Sequence, residues 1–288
     1  MIHFHRFNWL YALISIVVIG AGLFSILTFG YRFSIDFTGG TTLAYKIKNT
    51  VETKDVEKSI STKKIKVVSV RLEGQTIRMQ LSAITDAQEK EIQSTIAKLS
   101  KGNVQVLRYE TVGPTLGKET GQKTIIAAII AIAGILIYMS FAFKGFHFAL
   151  AAVLAMVHDF LVVLGSYSLL SRFFGAEFDL MFVTALLTTM SFSVHDTIVI
   201  FDKVREFTRG STGSSTIETL TDRAVTETMI RSLNNSLTII FMMSALLLMG
   251  GATIRFFIAT LLIGTITGTY SSPFVATPLL VLLEKRKK

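Results

Sequence analysis

Hydrophobic and polar positions follow two different rhythms along this chain. Six stretches stay apolar long enough to cross a bilayer, whose hydrocarbon core of ~30 Å takes roughly 20 helical residues. They are 7–29, 124–143, 146–170, 180–201, 237–254 and 256–283. Between the first and second, over 31–122, apolar positions recur instead at strand and helix spacing. There "TTLAYKIK", "KIKVVSVRLEG", "QTIRMQLS" and "NVQVLRYETV" predict strands, with Gly74 in the turn between the second and third. "VETKDVEKSIST" and "TDAQEKEIQSTIAKLSKG" predict helices, the latter with Ala87, Ile92, Ile96 and Leu99 on one face. The order β-α-β-β-α-β is that of a ferredoxin-like fold.

The predicted architecture is a polytopic α-helical membrane protein with six transmembrane helices. A ferredoxin-like α+β extracytoplasmic domain sits between helices 1 and 2. Residues 1–30 form the first helix, 31–122 the small domain, and 123–288 a five-helix membrane domain with a cytoplasmic segment at 202–236. In that segment Ser215 and Glu218 fit a capping box, and Ile217, Leu220, Ala224 and Val225 share a face. This suits an amphipathic helix on the inner interface delivering Arg231 to the fifth span, or a plain solvated linker helix.

Composition narrows the class. Half of the 288 residues are hydrophobic and mean hydropathy is +0.54, too apolar for an ordinary soluble domain. The net charge of +9 does not indicate nucleic acid, because no basic face carries interleaved aromatics. Lys and Arg orient membrane helices instead. With the N-terminus inside, the cytoplasmic side receives Arg6, Lys144, Lys203, Arg205, Arg209, Arg223, Arg231 and the tail "EKRKK". The short outer loops then hold only Arg172 and Arg255, which places both termini in the cytoplasm and the 31–122 block outside. The first apolar run is too long for a signal-peptide core and no A-x-A-like site follows it, so it is expected to remain as a helix. There is no cysteine, which excludes disulfides and thiolate metal sites.

Candidate chemistry lies inside the spans. A charged side chain there costs at least about 2.5–3.5 kcal/mol and usually faces a polar cavity. His158-Asp159 falls within the third span and His195-Asp196 within the fourth. Thr189, Ser193 and Asp196, spaced i, i+4, i+7, form one polar stripe, and Thr188, Ser191 and His195 a second. Hydroxyls leading to a carboxylate can hold water along an ion path. Helix–helix hydrogen bonding, worth about 0.6 kcal/mol per contact, accounts for the Ser and Thr residues but not for an Asp. Arg231 is the candidate partner of Asp196. The membrane potential supplies about 2.3 kcal/mol per charge for each 100 mV. Gly264, Gly268 and Ser272 put small residues at the spacing of a close helix contact, and Pro273 and Pro278 predict a kink. No H-E-x-x-H pattern supports metal-dependent intramembrane proteolysis and no Gly-rich phosphate loop supports ATP hydrolysis, so neither a metal, a cofactor nor enzymatic turnover is expected.

Several stretches carry a resemblance. "FSIDFTGGT", with Asp36, Gly39 and Gly40 at the base of the small domain, is similar to the motif opening the outer domain of SecD and SecF proteins. "ETVGPTLGKETGQK", "SFSVHDTIVIFDKVRE", "TETMIRSLNNSLT" and "GTITGTYSSPFVATPLL" resemble the later motifs of that family in the expected order. One short outer domain and six spans are similar to the SecF branch. The resemblance implies an RND-related membrane subunit that pairs with a SecD-like subunit and works beside the SecYEG translocon. It would act on a translocating preprotein, with protons as the driving ion; by ligand chemistry alone, Na⁺ can use the same carboxylate and hydroxyls. It also implies that Asp196 is the relay carboxylate and Arg231 its cytoplasmic-side partner. At His195 the chain departs from the family pattern, which usually has Asn there. A titratable neighbour at that place would either shift the pKa of Asp196 or join the relay. Two other expectations stand beside this one: half of a small-molecule or lipid exporter of the same architecture, and a scaffold that carries no ions. Six spans and one domain are half of a repeat-built transporter, so a partner subunit or a second copy is expected.

Overall fold

The computed structural model describes residues 4–62, 65–143, 145–210 and 215–285. Lys144, residues 286–288 of the basic tail and the first residue of the predicted 64–74 strand lie outside them. The chain divides into two compact units, Phe33–Ile126 and the remainder.

The smaller unit opens with a short helix, Ile35–Thr38, followed by strand β1 (Gly40–Lys46) and a helix at Thr53–Ser61. Strands β2 (Val67–Glu73) and β3 (Thr76–Leu81), a helix at Asp86–Leu99 and strand β4 (Gln105–Val112) complete it. The sheet order is β2-β3-β1-β4 with every pair antiparallel, the ferredoxin-like arrangement. Register pairs Leu43 with Met79 and Tyr45 with Ile77, so alternate residues enter one face. They pack with Val56 and Ile60 of the first long helix and Ile92 and Ile96 of the second. Each such burial is worth about 1.5–3 kcal/mol. The predicted face of the Asp86–Leu99 helix needs one correction: Ala87 is exposed, and Glu89 is buried in its stead. Glu89 accepts a hydrogen bond from the Tyr45 hydroxyl at 2.8 Å, which offsets the cost of burying a carboxylate. Thr85 and Gln88 form the capping box that starts this helix.

The larger unit is a helical bundle. We label its spans M1 (Asn8–Phe29), M2 (Pro114–Ala142, whose first residues belong to the smaller unit), M3 (Phe146–Phe174), M4 (Leu180–Gly210) and M5 (Ile217–Met249). M6 runs over Arg255–Lys285. All six are long and apolar enough to cross a membrane. Hydropathy marked only their apolar parts. M2 starts ten residues before the predicted 124 because Pro114 suits the first helical position and Glu119 pairs with Lys123 one turn on, at 2.7 Å. M5 is one helix from Ile217, which replaces the expected separate interfacial helix. Its N-cap is Thr216, accepting from the Thr219 N–H, rather than Ser215. Leu220, Ala224 and Val225 are buried in the bundle. M6 is interrupted at Ser272–Ala276 by a wide turn, where Pro273 supplies no N–H for the regular ladder.

Glycine and hydroxyl seams hold the bundle together. A Cβ on Gly22 of M1 would lie 2.8 Å from the Gly165 Cα of M3, and Ser25 bonds to Ser168 at 2.9 Å one turn further on. Thr189, Ser193 and Thr197 of M4 face Gly264, Gly268 and Ser272 of M6. A Cβ on Gly264 would overlap Thr189, one on Gly268 would sit 3.1 Å from the Ser193 Cα, and Thr197 bonds to Ser272 at 2.9 Å. Two i, i+4, i+8 stripes thus meet along about 12 Å of helix.

Candidate functional site

Two intramembrane carboxylates occupy different surroundings. Asp159, on M3, is 1% exposed and is the common acceptor at a junction of helices. Its Oδ2 accepts from Ser193 of M4 and, at 2.6 Å, from Ser271 of M6. Its Oδ1 lies 2.8 Å from His158 Nδ1, and His158 Nε2 reaches Ser15 of M1 at 2.9 Å. One cluster therefore ties M1, M3, M4 and M6. An Asp is sustained in the apolar bundle because three groups bond to its oxygens.

Asp196 is 8% exposed, on the side of M4 that meets M5. Its Oδ2 accepts from Ser232 at 2.8 Å. Beside it opens a cleft of about 390 Å³ lined by His195, Asp196, Val199, Arg231, Ser232 and Asn235. This is ample for several waters, at roughly 30 Å³ each. Arg231 borders the cleft from M5 with an exposed side chain, and Ser232 is the group that donates to the carboxylate. Cleft, carboxylate and cation together can hold an ion in contact with water.

The predicted residues separate accordingly. Ser193 is brought to Asp159, one turn from Asp196 on the same helix. His195, Asp196 and Arg231 share the cleft. Thr189 reaches neither carboxylate: its hydroxyl bonds to the Leu186 carbonyl at 2.8 Å, and its side chain fills the seam against Gly264. The second stripe, Thr188, Ser191 and His195, is exposed, and His195 is its one member that lines the cleft. Sequence reasoning missed Ser232, Ser271, Ser15 and Asn235. Ser232 follows Arg231 directly, which was a signal. Nothing in the chain marks Ser15 or Ser271 as partners of a site far away in sequence.

In the smaller unit Gly39 and Gly40 have φ of +67° and +126°, in the region that favours glycine. A Cβ on Gly39 would lie 2.6 Å from the Pro114 Cα, and one on Gly117 2.5 Å from the Gly39 nitrogen, so the loop and the first turn of M2 touch backbone to backbone. Asp36 lies in the short Ile35–Thr38 helix that precedes Gly39, its N–H donating to the N-cap Ser34 Oγ at 3.2 Å.

Comparison with known proteins decides the family. Residues 91–286 match the family described as protein export membrane protein SecD/SecF, C-terminal. A protein translocase subunit SecF of Thermobaculum terrenum is 38% identical over 302 residues, covering 99% of this chain and 95% of the relative. The chain belongs to the SecD/SecF family. A second SecF relative, from Sebaldella termitidis, is 36% identical and covers 96% of this chain and 90% of its own length. The crystal structure of SecDF from Thermus thermophilus, described as a translocon-associated membrane protein, is similar with a TM-score of 0.87 and 29% identity. It covers 99% of this chain, which spans 39% of the SecDF chain. SecD/SecF membership fits a multi-pass bundle with a ferredoxin-like unit inserted after the first span.

Proposed function

We propose that this chain is a SecF-type subunit of the Sec export machinery. With a SecD-like partner it uses the proton motive force, or a Na⁺ gradient, to assist translocation of preproteins passing through SecYEG. The observation that carries the proposal is Asp196: a carboxylate in a membrane-spanning helix that opens on a cleft shared with His195 and Arg231. An ion arriving through the cleft binds Asp196. Ser232 and Arg231 hold the carboxylate when the ion has left, and Asp159, through Ser193, is the buried neighbour that feels the change one turn away. The chain performs no chemical turnover.

Support for a SecD-like partner comes from the similar SecDF chain, of which this one spans only part. It also comes from the exposed stripe Thr188, Ser191 and His195, polar positions on a membrane helix that suit a facing helix. The location is the bacterial cytoplasmic membrane, among its lipids, with both termini cytoplasmic and the ferredoxin-like unit extracytoplasmic, as the distribution of Lys and Arg favours.

The test is pulse-chase export of a signal-bearing preprotein in cells whose sole copy carries Asp196→Asn. Precursor is expected to accumulate at normal subunit levels. Unimpaired export at those levels would remove the ion-driven role.

A further inference from the structure

M4 and M5 stay paired beyond the cleft through a ladder of side chains. Asp196 meets Ser232 at 2.8 Å, Lys203 meets Glu227 at 3.3 Å, and Phe207 meets Arg223, whose guanidinium carbon lies 4.4 Å from the ring centre. Along M4 these positions advance by seven and then four residues, and along M5 they step back by five and then four. One face of each helix therefore meets one face of the other in an antiparallel pair. Each member of the Lys203–Glu227 pair is also steered from its own helix. Lys203 bonds to Glu206 at 2.9 Å and lies 4.9 Å above the Phe207 ring, and Glu227 accepts from Arg223 Nε at 3.3 Å.

Position gives this pair its role. Lys203 stands one turn past Val199 and Glu227 one turn before Arg231, so the two bridge M4 and M5 where the cleft lining ends. M5 is buried at Ala224, Val225 and Thr228, whereas Ile230, Leu233 and Leu237 are 42–72% exposed. Where Ser232 stands relative to Asp196 thus depends on how M5 is held one turn earlier. We propose that Lys203 and Glu227 are positioning residues: their ion pair closes this end of the cleft and holds Ser232 and Arg231 beside Asp196. The inference rests on the reading of the cleft as an ion path, with this end on the cytoplasmic side. It adds the element that governs entry to that path.

The chain has no cysteine, so one placed in the cleft reports on access to it. The experiment uses the full chain with its SecD-like partner in inside-out membrane vesicles, where Asn235→Cys is labelled by a membrane-impermeant maleimide. Export is measured in cells whose sole copy keeps Asn235. Lys203→Glu and Glu227→Lys each set like charges across M4 and M5. Each is expected to speed labelling about fivefold, the upper end for a solvated ion pair, and to slow export at normal subunit levels. Lys203→Glu/Glu227→Lys restores opposite charges and is expected to bring both readouts back toward the parent, a coupling that lost packing would not produce. Should a reversed variant fail to accumulate, the same cycle with Lys203→Gln and Glu227→Gln decides, its double variant expected to add nothing to either change. Labelling unchanged in the single variants, or effects that simply add in the double variant, overturns the proposal. So does faster labelling with normal export in cells where Asp196→Asn slows it. Normal export in Asp196→Asn would instead remove the ion-driven role, and labelling would still decide whether the pair closes the cleft.

Discussion

Gly264→Ala tests the seam that holds the Asp196 helix in place. In an open helical position, glycine to alanine gains up to about 1 kcal/mol of helix propensity. Gly134, in the exposed middle of M2, is such a position, since a Cβ there meets nothing within 4 Å. At Gly264 the added carbon overlaps both the Cβ and the Cγ2 of Thr189, a side chain only 1% exposed and bonded to its own helix, so it cannot swing aside. The helices must part, and overpacking of this kind costs about 1–3 kcal/mol. Gly264→Ala is therefore expected to be about 1–3 kcal/mol less stable than Gly134→Ala, roughly 5- to 150-fold in the folded population. Thr189→Ser leaves the Cβ in place and should not relieve the strain. Thr189→Gly moves the missing carbon to the other side of the seam, so Thr189→Gly/Gly264→Ala should show a favourable coupling in a double-mutant cycle. The assay is a denaturing-detergent titration in mixed micelles followed by circular dichroism, with amide exchange reporting on M6. Equal stability of Gly264→Ala and Gly134→Ala would refute the packing argument.

Two further outcomes follow from buried hydrogen bonds. Asp159→Ala leaves Ser193, Ser271 and His158 without their shared acceptor at about 1–3 kcal/mol each and is expected to fail to accumulate in the membrane. Asp159→Asn keeps a carbonyl oxygen and should accumulate to intermediate levels, so equal levels of the two variants would contradict the junction. In the smaller unit, burial and then the bond to Glu89 push the Tyr45 hydroxyl well above its ordinary 10.0. The folded state favours neutral Tyr45, so this stabilisation is full below about pH 10 and is lost as pH rises above it, where the unfolded chain ionises. Tyr45→Phe should cost about 1–3 kcal/mol at neutral pH by leaving Glu89 without its donor, and should flatten the alkaline fall. Amide exchange across β1 as a function of pH measures both, and an unchanged alkaline limb would count against the bond.

Much of this molecule was legible in one dimension because its constraints are periodic. Long apolar runs have a single solution in a bilayer, and alternation at period two in the 31–122 block yields strands that can bury only one face. Helix ends were less legible. M2, M4 and M5 continue through polar turns at Pro114–Lys123, Asp202–Gly210 and Ile217–Ser236, where hydropathy falls but helix-forming residues and caps remain. Ala87 was misplaced on the core face because spacing alone cannot show that Glu89 would find a phenol to bond.

The sequence by itself determined that carboxylates sit in the membrane, at 159 and 196, because any charge inside an apolar span stands out against its cost. It also determined that small residues at 264, 268 and 272 allow a close helix contact. Only the tertiary structure decided what each meets. Asp159 is enclosed by hydroxyls from M4 and M6, while Asp196, one turn past Ser193, opens on a cleft with Arg231. The physical reason is that a helix presents its residues about 100° apart. Ser193 and Asp196, three positions apart on M4, therefore face a sealed seam and a wet cleft, and what each meets is set by neighbouring helices whose partner residues lie dozens to hundreds of positions away.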